Sequence, residues 1–166
     1  MKITTKRMAL TGMVAAVYAV LTVLLPIPAY GDIQCRLSES LNLLIFINPV
    51  FAPGIILGCF IANIFSPVGL PDVIFGTLAT AISAVCIIKF SRSLFTASIW
   101  PVVINGFIIG AMILVFFSEP PFTAVKFATF ASTVMLGQFV AVSIIGVIIF
   151  SRITKNEKLL KLLMEL

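Results

Sequence analysis

Side chains able to hold a polar ligand crowd into one stretch of this chain, GDIQCRLSESLN at residues 31–42. Asp32, Gln34, Arg36, Ser38, Glu39 and Asn42 fall within eleven residues of a sequence that is only 10% charged. From Ser38 onward the spacing is helical. Ser38 is expected to cap the helix, Glu39 to enter its first turn, and Asn42 to follow on the same face. Two readings are open. One is an outer loop with a capped helix whose first-turn acid suits the dipole. The other is a set of hydrogen-bonding groups, Gln34, Arg36, Glu39 and Asn42, converging on a polar ligand. A carboxylate entering a short helix at membrane depth favours the second.

Asp72, in SPVGLPDVIF, is a second acid expected on the same side of the membrane. It follows Pro71, an ordinary helix start, and could also place a carboxylate near a ligand. Asn105 and Gln138 are polar residues in mid-span, read either as an interhelical pair or as cavity lining. Other chemistries are poorly provided for. There is no histidine, the commonest general base and transition-metal ligand. Cys35, Cys59 and Cys86 stand 24 and 27 residues apart, neither a zinc pattern nor a disulfide framework. No GxxxxGK[ST] loop is present to bind ATP phosphates. No metal, cofactor or catalytic residue is expected.

The elements that position these residues follow from composition. The chain has 166 residues, is 61% hydrophobic and has a mean hydropathy of +1.23. A soluble domain is ~45–50% apolar and ~25% charged, and disorder needs low hydropathy. An integral membrane protein remains. Apolar blocks at 8–28, 41–65, 71–88, 97–117 and 122–151 approach or exceed the ~20 residues that cross a bilayer. Five spans, however, would strand the basic KFSRS loop and the basic tail outside. Asn48, Pro49 and Pro53 interrupt the region 38–65, and proline breaks a helix interior. Two crossings there bring 9 of the 11 Lys and Arg residues to the inner side, as cytoplasmic flanks require. The expected architecture is an all-α polytopic six-helix bundle, one domain over 1–166, with a short, broken second helix and both termini cytoplasmic. Its helices are expected at 8–28, 38–47, 50–65, 71–89, 97–117 and 122–151, followed by an interfacial tail at 155–166. Discontinuous helices of this kind often mark a transporter's binding site. The N-terminus resembles a signal peptide, but its apolar run of 8–25 exceeds the usual ~7–15 residue core, so it is read as a retained span.

QCRLSESLN, followed by NPVFAPGIILGCFIANIFSPVGLPDVIFGTLAT, resembles the QueT family over essentially the whole chain. The most specific parts are QxRxSExLN (Gln34, Arg36, Ser38, Glu39, Leu41, Asn42) and the run from Gly69 to Thr80. The resemblance implies a plasma-membrane S component of an energy-coupling-factor transporter for queuosine precursors, with no enzymatic step. It also implies as partners a small deazaguanine substrate, a transmembrane coupling subunit, two ATP-binding cassette ATPases and membrane lipid, and no nucleic acid. A guanine-like edge offers a ring N–H and an amino group, which a carboxylate accepts as a pair. Glu39 is the first choice for that role and Asp72 the second. Gln34 or Asn42 could read the ring carbonyl, and Phe46, Phe75 and Phe107 are candidate walls. In S components an AxxxA face on the first helix docks the coupling subunit. Ala15 and Ala19 match it, beside the pair Gly12 and Ala16; by spacing alone these small residues read as internal packing. The alternatives are an S component for another vitamin, such as thiamine or biotin, or a six-span protein outside transport.

Overall fold

The computed structural model describes residues 5–25 and 36–165 and is all-α across them. Helix α1 spans Thr5–Leu24. After Arg36 a 3₁₀ turn, Leu37–Leu41, leads into the short α2, Asn42–Ile47. A second 3₁₀ turn, Pro49–Phe51, opens α3, Ala52–Ile64. A π-helical turn, Asp72–Gly76, precedes α4, Thr77–Phe90. Helix α5 is Leu94–Phe117 and α6 is Ala124–Gln138. The latter continues through a π-helical stretch, Phe139–Gly146, into α7, Val147–Lys155. Helix α8, Glu157–Met164, closes the described chain. Four helical stretches are long and apolar enough to cross a membrane: Thr5–Leu24, Asp72–Phe90, Leu94–Phe117 and Ala124–Lys155. The apolar stretches Leu37–Ile47 and Pro49–Ile64 are shorter. This is a multi-pass membrane protein.

Local chemistry sets the breaks. Asn48 is extended (φ −151°, ψ 115°), and its side chain accepts from the Val50 N–H, so the Asn-Pro step ends α2 and caps the next turn. The same side chain donates to the carbonyls of Leu163 and Met164 at 3.0 and 3.4 Å, tying the end of α8 beneath the break. Ser93 and Thr96 form a reciprocal capping box at the start of α5, satisfying donors that a helix leaves open. Ser38 does not cap, contrary to expectation: the turn starts at Leu37 without a side-chain cap, and the Ser38 hydroxyl lies 2.6 Å from that of Thr22. A buried hydroxyl bonds where a partner is, and α1 supplies one.

Small residues let α1 and α3 approach closely. A Cβ on Gly58 would lie 2.8 Å from the Ala15 carbonyl oxygen and 2.7 Å from Tyr18 Cβ. Gly54 meets Thr11 and Val14 in the same way. Ala15 and Tyr18 are consequently buried in the core with Leu43, Ile45, Ile55 and Cys59. Overpacking at such a contact costs ~1–3 kcal/mol. Gly58→Ala is expected to lower the thermal unfolding temperature of the detergent-solubilised protein, and an unchanged melt would show that α1 is free to move away. In the second half, Gly106 and Gly110 of α5 lie against Met135 and Ala131 of α6, so that glycine pair packs internally.

Candidate ligand-binding site

The turn Leu37–Leu41 and the extended Arg36 before it insert polar side chains into the bundle, where four elements meet them. From α1, the Tyr18 hydroxyl donates to Glu39 Oε1 at 2.6 Å. From the first turn of α2, Asn42 Nδ2 donates to Glu39 Oε2 at 2.6 Å. Helix spacing of three residues makes this second bond possible, as the sequence implied. From α3, Asn63 Oδ1 accepts from an Arg36 guanidinium nitrogen at 2.8 Å. Asp72 Oδ2 takes another at 2.6 Å, forming an ion pair whose side chains are 5% and 0% exposed. Tyr18, Glu39, Asn42, Asn63 and Asp72 are all 0–1% exposed, and Arg36 is 4% exposed.

Asn63 is a hub in this arrangement. Its amide also donates to the Asp72 carbonyl at 3.1 Å and to Cys59 Sγ at 3.4 Å, while Thr80 reaches the same sulfur at 3.2 Å. The approach depends on Gly76, because a Cβ there would lie 2.6 Å from Asn63 Nδ2 and 3.0 Å from Asp72 Oδ1. The π-helical turn that carries Asp72 thus presents its backbone to Asn63 and its carboxylate to Arg36. Such turns cost helix regularity and recur at functional sites. The other π-helical stretch backs the same segment, with Gly146 against Ser40 and Leu43.

The electrostatics are uneven. Two buried carboxylates, Glu39 and Asp72, face one guanidinium, Arg36. Hydrogen-bonding capacity is left over as well. Asn42 Oδ1 and Asp72 Oδ1 are buried without a partner among the described residues, and each Glu39 oxygen has a second lone pair. Chemically the cluster can accept several hydrogen bonds and one positive charge. Among the described residues no group of His, Cys, Asp and Glu could hold a metal.

The structure therefore brings Arg36, Glu39, Asn42 and Asp72 into one buried neighbourhood. Gln34, like Asp32 and Cys35, lies outside the described residues. Asn105 is buried but donates to the Pro101 carbonyl of its own helix at 2.9 Å, and no bond joins it to Gln138. Gln138 Oε1 is buried without a partner among the described residues. Phe75 pairs with Phe116 at 5.8 Å, and both line an apolar groove with Phe107 that Glu39 does not reach. Ala15 and Ala19 face inward at 2% and 9% exposure, whereas Gly12 and Ala16 are exposed. Ala15 is turned inward because its backbone is the surface on which Gly58 packs. Sequence reading missed Tyr18, Thr22 and Asn63. A hydroxyl or amide inside an otherwise apolar span was the available signal, since such a group requires a partner.

Comparison with known proteins identifies the family. A family profile described as QueT transporter matches residues 8–155. The protein named queuosine precursor transporter QueT of Lactococcus lactis subsp. cremoris (strain MG1363) is 40% identical over 73 residues. That stretch is 43% of this chain and 43% of the relative, so less than half of either is aligned. No solved structure matches the chain. With the profile covering most of the chain and the whole buried cluster, the chain belongs to the QueT transporter family.

Proposed function

We propose that this protein is the substrate-binding membrane subunit of an energy-coupling-factor uptake transporter. It captures a 7-deazaguanine queuosine precursor from the outer side of the plasma membrane. The observation that carries the reading is the buried carboxylate of Glu39. It is held on both oxygens yet retains lone pairs, in a cluster where Asn42 Oδ1 and Asp72 Oδ1 have no partner among the described residues. The donor edge of a guanine-like ring complements that acceptor set. Family membership and the relative's name support the same substrate class. Mass spectrometry of small molecules released from the purified protein tests it: a deazaguanine supports the reading and an unrelated vitamin, such as thiamine, contradicts it.

The charge count selects between precursors. Two buried carboxylates against one guanidinium leave one negative charge, and residues 26–35 add only another acid, Asp32, to the charged groups. A buried charge is costly unless paired. The cationic 7-aminomethyl form completes neutrality, and the neutral 7-cyano form does not.

The two short stretches, Leu37–Ile47 and Pro49–Ile64, are read as a pair of crossings, giving six spans with both termini cytoplasmic. A membrane-impermeant maleimide is then expected to label a cysteine placed at Glu119 in whole cells, and one placed at Arg92 only after permeabilisation. Labelling of position 92 from outside would overturn the orientation. Coupling to a transmembrane subunit and two ATP-binding cassettes is assigned to the exposed Gly12 and Ala16 side of α1. There Met13, Val17 and Val20 are also exposed, and small residues four apart admit a partner helix.

A further inference from the structure

We infer that Tyr18 is the positioning residue that makes the site specific for a ligand with two adjacent donors, by fixing the rotation of the Glu39 carboxylate. The inference rests on Glu39 being the ligand's acceptor and adds how that acceptor is aimed. A carboxylate on a free side chain can turn about its last torsion, and that torsion is soft. Here it cannot turn freely. The Tyr18 hydroxyl holds Oε1 and Asn42 Nδ2 holds Oε2, both at 2.6 Å. With one lone pair of each oxygen engaged, one on each oxygen remains, the number that a paired donor edge requires.

The position of Tyr18 on α1 is itself fixed by its neighbours. Tyr18 is 0% exposed, and its Cβ lies 2.7 Å from where a Cβ on Gly58 would stand, so α3 packs directly against it. One turn further along α1, Thr22 donates to the Tyr18 carbonyl at 3.0 Å and meets Ser38 at 2.6 Å. That second bond fixes where the segment carrying Glu39 lies along α1. Tyr18 thus acts through Glu39, without needing to touch the ligand. Preorganisation of this kind yields discrimination, because a site built for two donors leaves an acceptor unpaired when one is missing.

The test compares two probes on the full chain in detergent by calorimetry. One is 7-aminomethyl-7-deazaguanine, and the other is its analogue lacking the 2-amino group. The wild type is expected to bind the first more than about tenfold more tightly than the second, the equivalent of one good hydrogen bond. Tyr18→Phe removes one oxygen and nothing else. It is expected to weaken binding of the first probe by about tenfold and of the second by less than about threefold, so that discrimination collapses. A purely structural role predicts equal losses for both probes, and that result overturns the inference, as does unaltered discrimination. If Tyr18→Phe does not fold, Thr22→Val carries the test. It keeps the phenol but frees the segment, and retained discrimination in that folded protein is equally contradictory. A wild type that binds both probes equally overturns the inference alone; one that binds neither overturns the ligand reading with it.

Discussion

Glu39→Gln is expected to weaken binding of a deazaguanine by on the order of 10–100-fold or more. The change is nearly isosteric but replaces one acceptor by a donor. Tyr18 and Asn42 both donate to this carboxylate, so an amide keeps the Asn42 bond only by turning its NH₂ toward Tyr18, whose hydroxyl must then accept rather than donate. The ligand's own donors meet the same deficit. A hydrogen bond to a charged group contributes ~1.5–3 kcal/mol, and an unpaired buried donor costs a similar amount; each 1.4 kcal/mol is tenfold in affinity. The substitution also removes the surplus negative charge, so preference for a cationic ligand is expected to fall with the affinity. Direct titration together with thermal melts checks this. Near-wild-type affinity in a folded variant would transfer the role to Asp72.

Arg36→Met has the larger consequence for stability. Arg36 and Asp72 form an ion pair with almost no exposure, and removing one member leaves the other charge buried. Such a loss costs ~3–5 kcal/mol, a large share of the ~5–15 kcal/mol that holds an ordinary domain together. A sharply lowered melting temperature is expected in detergent. The double variant Arg36→Met, Asp72→Leu is expected to recover most of that stability, because apolar replacement of a whole buried pair is often neutral. It is not expected to recover ligand binding. If the double variant binds as the wild type does, the pair is a structural strut only.

How far these roles could be read from sequence depended on whether the signal was local. The stretch at 31–42 stood out as the densest polar cluster beside a span, and Asn42 was placed beside Glu39 by helix spacing. The Asn48-Pro49 break was legible because proline cannot continue a helix. Tyr18 was legible only as a hydroxyl in need of a partner, since nothing within α1 identifies that partner as a carboxylate twenty-one residues away. The partners of Asn63 were hidden for the same reason: Arg36 and Asp72 come from two separate segments of the chain. The small residues of α1 illustrate a different limit. Spacing of four serves docking and internal packing equally, and the tertiary contact with Gly58 is what turns Ala15 inward. The matching Gly54-xxx-Gly58 pair on α3 was the sequence signal that could have predicted it. Ser38 met every local criterion for a cap and was claimed instead by Thr22 across the bundle.

The central claim is that a buried cluster with one surplus negative charge binds a cationic deazaguanine. Calorimetric titration of the purified wild-type protein with the 7-aminomethyl and 7-cyano forms tests it most directly. The account predicts saturable binding of the 7-aminomethyl form, tighter than the 7-cyano form by more than about tenfold, or ~1.4 kcal/mol. Failure of a folded protein to bind either compound, or tighter binding of the neutral form, would contradict it.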